Sequence, residues 1–217
     1  MTTLSEENYL KTIYHLGQQG TIAVSTNAIA EKIESKASSV TDMVKKLADK
    51  NLANYVKYQG VSLTNLGRLT AASVIRKHRL WEVFLVEKLH FSWDEVHDVA
   101  EQLEHIKSLK LVNELDAFLG FPTHDPHGDP IPDKNGNYTL SKSINILQME
   151  VGSQGVLVHV KDSSDVFLKY LNKTNLALGD AIKIMDFEPF DGSMIIQTNS
   201  NTINISKEVA KNLYLSH

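Results

Sequence analysis

The chain has 217 residues, 42% of them hydrophobic, and no cysteine. This is enough for one large or two to three small packed domains, and it excludes both a disulfide framework and a thiolate metal site. A net charge of −4 argues mildly against nucleic acid, but residues 1–70 carry eight Lys/Arg against six Asp/Glu and residues 71–217 fourteen against twenty, so a polyanion is expected to meet the first segment. Met1 to Leu10 is polar and acidic, unlike a signal peptide, and no apolar run reaches the roughly 18 residues of a membrane span. A cytoplasmic protein with no membrane association is expected.

Ser5 through Leu16 reads as a helix capped by Ser5, with Tyr9, Leu10, Ile13 and Leu16 as its apolar stripe. After Thr21-Ile-Ala-Val, a short extended piece, Ser25 or Thr26 caps a second helix that turns Ile29, Ala30 and Ile33 inward. A third helix, Ser38 to Lys50, buries Val40, Met43, Val44 and Leu47. Two short helices joined by a tight turn, following a first helix, make a helix-turn-helix. The outward face of the third helix carries Ser38, Ser39, Thr41, Asp42, Lys45 and Lys46. Small hydroxyls at a helix start suit phosphates and base edges, although the same pattern also describes a capped surface helix. Leu52 to Val56 and Val61 to Thr64 then alternate as two strands around Lys57-Tyr-Gln-Gly, a hairpin that forms a wing and offers Lys57 and Tyr58 to a DNA backbone.

Thr64 caps a long helix running to about Leu89, on which His78 and Glu82 stand four apart. Ser92 is the expected cap of the next helix, whose stretch His-Asp-Val-Ala-Glu-Gln-Leu-Glu-His (97–105) puts His97, Glu101, Glu104 and His105 on one stripe. Val96, Val99, Leu103 and Ile106 form the expected apolar face. Carboxylate oxygen and neutral imidazole nitrogen are ligands for divalent transition metals, while the plain alternative is a solvated helix face. Lys110 to Leu119 is a further helix, whose apolar residues suit subunit packing. Phe121 to Asn137, rich in Pro, Gly and Asp, reads as loop, with His124 and His127 structural or solvent-facing rather than ligating. From Val151 onward short β-type runs, interrupted by a weak helix at Asp165 to Leu171, read as a small SH3-like barrel.

The order of winged helix, His-Arg-Leu-Trp-Glu, His-Asp-Val-Ala-Glu-Gln-Leu-Glu-His, His-Gly-Asp-Pro-Ile-Pro and small barrel resembles the diphtheria toxin repressor (DtxR/MntR) family of metal-dependent transcription regulators. Tyr9-Leu-Lys-Thr-Ile-Tyr, Ser38-Ser-Val-Thr, Leu63-Thr-Asn-Leu-Gly and Arg76-Lys-His-Arg-Leu add to the likeness. The resemblance implies a mainly α chain with a small β part: a winged helix-turn-helix (1–70), a helical metal-binding and dimerisation domain (71–140) and an SH3-like, FeoA-like domain (151–217). It implies a homodimer on a palindromic operator, with Mn2+ or Fe2+ as corepressor controlling metal-uptake genes. The family's main site maps onto Glu101, Glu104 and His105, with a first-helix ligand at Asn8. Asn8 departs from the family's Met or Asp, and Glu7 is an alternative donor. Lys11 stands where a two-metal manganese site has Glu. An ancillary site maps onto His78, Glu82 and His97, and a ligand from the last domain is expected near Asp165. Two alternatives follow from the residues alone. One is a winged-helix regulator whose His/Glu stripe is purely structural. The other is a di-metal carboxylate enzyme using Glu87 and His90.

Overall fold

The computed structural model describes residues 2–139, 142–199 and 201–216. The chain separates into two compact units, one built from Met1–His78, Glu101–Leu109 and Pro132–Tyr138, the other from Arg79–Ala100, Lys110–Ile131 and Thr139–His217. The expected boundary at residue 140 falls on Leu140, which with Ser141 lies outside the described residues.

The first unit opens with helix α1 (Leu4–Leu16). Its cap is Thr3 rather than Ser5. The Glu6 amide donates to Thr3 Oγ1 at 3.3 Å while the Thr3 amide donates to Glu6 Oε2 at 3.0 Å. This reciprocal box satisfies two amides at once, and a Ser5 cap would satisfy one. Helices α2 (Thr26–Lys32), capped by Ser25, and α3 (Ala37–Asp49) follow. Strands β1 (Ala53–Val56) and β2 (Gly60–Leu63) pair antiparallel, Val56 opposite Gly60, and Val24 adds a bridge to Val61. Leu10, Ile13, Ile29, Val40, Val44, Leu47 and Val61 are fully buried in one cluster, each contributing about 1.5–3 kcal/mol on transfer from water. Two glycines are required by contact. A Cβ on Gly67 would lie 1.9 Å from the Leu52 carbonyl oxygen, and one on Gly60, whose φ is +106°, 2.6 Å from that of Val24. Gly67 lies on α4 (Asn65–Leu89), capped by Thr64, whose Oγ1 accepts from the Gly67 amide at 3.0 Å.

The second unit takes up the later part of α4, the start of α5 (Val96–Leu103) and most of α6 (Leu109–Phe118). It continues through β3 (Ser143–Asn145), a 3-10 turn, β4 (Gln154–Val160), α7 (Asp165–Thr174), β5 (Ala181–Phe187), β6 (Met194–Gln197), β7 (Thr202–Ile205), α8 (Lys207–Ala210) and β8 (Leu213–Ser216). The strands form one sheet in the order β3-β8-β4-β5-β6-β7. Among the described residues the expected small SH3-like barrel is an SH3-like sheet that does not close, with β3 and β7 at its edges. Leu157, Val160, Leu168, Leu171, Ile182, Ile184, Ile196 and Leu213 fill its core, and Trp93 packs against it while its Nε1 donates to Asn172 Oδ1 at 2.8 Å. Among the described residues, no helix is long and apolar enough to cross a membrane.

Candidate metal centres and nucleic-acid face

Helix α5 is shorter than its sequence pattern suggests. It ends at Leu103, so Glu104 and His105 lie in the turn that follows. The expected faces also shift, because Val96, Ala100 and Glu104 are the buried positions. Glu104 is the hub of the first unit's polar cluster, with its side chain only 1% exposed. Lys11 Nζ of α1 reaches both its oxygens at 2.8 Å, and His78 Nδ1 contacts Oε2 at 2.7 Å. Burial alone would push the Glu104 carboxyl up; the His78 hydrogen bond and the Lys11 charge outweigh it and hold it below the usual range. Glu101, half exposed, meets the same Lys11 ammonium at 3.3 Å.

His105 is oriented by Glu7. Its Nδ1 lies 2.7 Å from Glu7 Oε2, while the other Glu7 oxygen accepts from Thr2 Oγ1 at 2.8 Å. An Nδ1–H donated to Glu7 leaves the Nε2 lone pair on the Glu104 side, 3.6 Å from Oε1. This is the carboxylate–imidazole arrangement that prepares a histidine to ligate a metal. Glu7 therefore orients the His105 ring. Asn8 Oδ1 is buried and has no hydrogen-bond partner. An orphaned amide oxygen is costly unless something positive meets it. Lys11 draws Glu101 and Glu104 together and His105 Nε2 lies 3.6 Å from Glu104 Oε1, so this corner of the first unit offers carboxylate, amide oxygen and imidazole, donor types that a divalent ion takes. Lys77, also buried here, has its ammonium pKa pushed down by desolvation, which the charges of Glu7 and Glu104 partly offset.

The second unit holds a separate cluster. Glu82, Asp125 and His127 are all buried, with one ligand atom of each lying within 4.8 Å of the others. His127 Nε2 lies 2.8 Å from the Trp93 carbonyl oxygen, to which only an N–H can bond. Its Nδ1 therefore faces Glu82 Oε1 at 3.8 Å and Asp125 Oδ1 at 3.9 Å. Asp125 Oδ1 also accepts from the His127 and Asp129 amides at 2.8 and 3.0 Å, which fixes the loop. Gly128 in that loop has φ +84°, and a Cβ there would lie 2.0 Å from the Val158 carbonyl oxygen. The Asp125 carboxyl is pushed well above its usual value by burial and by the charges of Glu82 and Asp129. Arg79 borders the cluster, its Nε 3.4 Å from Asp125 and its Nη2 3.3 Å from Asp129.

Of the expected ancillary residues, His97 Nδ1 lies 3.7 Å from Glu82 Oε1, and His78 stands one turn before Glu82 on α4. Asp165 is not drawn in. It is exposed at the start of α7 and paired with Lys169 at 2.8 Å, as an i,i+4 acid–base pair on a solvated helix favours. Sequence reasoning missed Asp125 and read His127 as structural or solvent-facing. His127 is buried, and a loop offers no periodic template from which that burial could be read. Glu87 pairs with Lys88 at 3.3 Å.

On α3, Ser38, Ser39, Asp42, Lys45 and Lys46 are exposed and Thr41 is half-buried. The Thr41 hydroxyl donates to the Ala37 carbonyl at 2.9 Å, leaving it an acceptor toward the outside. Asp42 and Lys45 approach to 3.9 Å. Lys46 and Lys50 lie 3.5 and 2.7 Å from the fully buried Glu6 of α1. Burial alone would raise the Glu6 carboxyl, but Lys50, the Thr3 amide and Lys46 hold it low. Lys46 is thereby partly neutralised from within. At the wing tip Lys57 lies over the Tyr58 ring, 4.9 Å from its centroid, and Tyr58 is 93% exposed.

Residues 1–61 match the model for the iron dependent repressor N-terminal DNA binding domain, 64–133 that for the iron dependent repressor metal binding and dimerisation domain, and 144–217 the FeoA domain. The iron-dependent repressor IdeR of Mycobacterium leprae is 28% identical, with 94% of this chain and 93% of that protein covered. A solved manganese-dependent transcriptional repressor in complex with manganese is 33% identical, covering 97% of this chain and 98% of that one at a TM-score of 0.86. A crystal structure of ScaR with bound Zn2+ is 31% identical over 97% of this chain and 98% of its own, at a TM-score of 0.78. With a winged helix, clustered oxygen and imidazole donors and a terminal sheet in this order, the chain belongs to the diphtheria toxin repressor family of metal-dependent transcriptional repressors, which are not enzymes.

Proposed function

We propose that this protein represses metal-uptake genes as a cytoplasmic homodimer bound to a palindromic operator, with Mn(II) as corepressor and Fe(II) as the alternative. The observation that carries the reading is the first centre: Asn8 Oδ1, buried without a partner, on the same helix face region as Lys11, whose ammonium sits between Glu101 and Glu104. The proposed ligands there are Asn8, Glu101, Glu104 and His105, with Glu7 orienting His105. Three oxygens and one imidazole, with no sulfur, suit Mn(II) and Fe(II) by hardness. In the second unit we propose Glu82 as the central ligand. Asp125 and His127 are the partners its geometry supports best, and His97 is the one the family pattern supplies. Asp165, held by Lys169, has no part in this assignment.

Asn8 of α1 and Glu101, Glu104 and His105 at the end of α5 would hold a divalent ion, which would supply positive charge among the carboxylates. On its other side α1 holds α3, because Glu6 grips Lys50 and Lys46. The same rigid helix therefore bears the metal donors and positions the reading helix. By linkage, a form that binds metal better and DNA better couples the two, and a coupling of about 1–3 kcal/mol corresponds to roughly 5- to 150-fold tighter operator binding. Ser38, Ser39, Thr41 and Asp42 are the proposed base-facing residues, and Lys45, Lys46, Lys57 and Tyr58 the proposed backbone contacts. Mobility-shift titrations with Mn(II), Fe(II), Zn(II) and chelator test this. Metal-dependent binding is expected, strongest with Mn(II) or Fe(II). Equal operator affinity with and without metal would overturn the reading.

A further inference from the structure

We propose that Lys11 is a tethered cation that holds the first centre in the metal-free protein and competes with the incoming ion for Glu104, so that it sets the affinity of that centre. The inference rests on the ligand assignment made above and concerns this chain's own lysine. Lys11 stands three residues after Asn8 on α1, and its side chain is only 16% exposed. Its ammonium is held by both oxygens of Glu104 at 2.8 Å and by Glu101 at 3.3 Å. Three carboxylate oxygens from two residues converge on one positive nitrogen, as they would on a metal ion. A solvated surface pair leaves at least one carboxylate in water, whereas Glu104 has no such alternative, its side chain being 1% exposed. In the absence of metal, buried negative charge must be balanced, and Lys11 supplies that balance from one helical turn away. An ion that takes Glu104 must displace the ammonium or accept a positive neighbour a few ångströms away, and in this half-buried setting either weakens binding. The centre is thereby closed to weakly held cations without loss of its shape.

The test uses the chain carrying Glu82→Gln, which takes the central carboxylate from the second centre, with and without Lys11→Met. Calorimetry with Mn(II) on chelator-treated protein is expected to show at least about tenfold tighter binding for Lys11→Met. Thermal unfolding of the same metal-free samples is expected to show a lower Tm for Lys11→Met, because Glu101 and Glu104 lose their counter-charge. Lys11→Arg, which keeps the charge, is expected to retain the weaker affinity and the higher Tm. Unchanged or weaker Mn(II) binding in Lys11→Met overturns the proposal. Glu104→Gln serves as the separate control. If it leaves Mn(II) binding intact, the ligand assignment itself fails. If it abolishes binding while Lys11→Met has no effect, only the role of Lys11 is lost.

Discussion

The two candidate centres balance the same kind of charge in opposite ways. In the first unit, the His78 hydrogen bond and the Lys11 ammonium, both provided by the chain itself, outweigh burial and hold the Glu104 carboxyl low. In the second unit, Asp125 pairs with Arg79 at 3.4 Å, yet burial and the charges of Glu82 and Asp129 push its carboxyl up. A buried carboxylate cluster without metal must find either a counter-cation or a proton. The first centre uses a flexible lysine, which can be exchanged for an ion. The second presents His127 Nδ1 and two carboxylates to one another at 3.8–3.9 Å, a spacing that leaves room for an ion between them.

The comparison breaks most visibly at Glu104. Glu104→Ala is expected to fold but to lose metal-dependent operator binding, a drop of roughly 5- to 150-fold in affinity at saturating Mn(II), read by mobility shift. A variant that still shifts DNA only when metal is added would remove Glu104 from the assignment. Next is Asp125→Asn, whose amide oxygen can keep the loop bonds to the His127 and Asp129 amides while losing the charge. It is expected to weaken Mn(II) binding in the second unit by about tenfold or more, leaving the first centre's affinity unchanged in calorimetry. Loss at both centres would show that they are not independent. Glu6→Gln probes the other side of α1. Removing the acid from Lys50 and Lys46 is expected to cost about 1–3 kcal/mol in denaturant unfolding, with Mn(II) affinity retained. The smallest effects are expected at the DNA face, where Lys57→Ala and Lys45→Ala should each lower the salt slope of operator binding by about one counterion. Lys46→Ala should change it less, because Glu6 already offsets that charge. Equal slopes for all three would put Lys46 on the phosphates as well.

Much of this architecture was legible because periodic patterns report burial. Leu10 and Ile13 in α1, Val40, Val44 and Leu47 in α3, and the alternating strands of the wing were read correctly, and each is buried where the pattern puts it. The pattern failed where a polar residue takes an apolar position. Glu104 belongs by spacing to a hydrophilic stripe but is buried with Val96 and Ala100, because partners distant in sequence, Lys11 and His78, meet its charge. The strands β3, β7 and β8 lie outside the β-type runs that the sequence pattern marks. Their pairing, with β8 inserted between β3 and β4, is decided by contacts remote in the chain.

The sequence by itself determined the order of the modules and the helix-turn-helix with its wing, since local propensity and residue chemistry are written in short windows. Only the tertiary structure decided that Lys11 occupies the Glu101–Glu104 position, that Glu7 orients His105 while Asn8 is left unpartnered, and that a loop aspartate and histidine join Glu82. Those outcomes depend on which charges burial forces together, and the partners are separated by tens of residues along the chain.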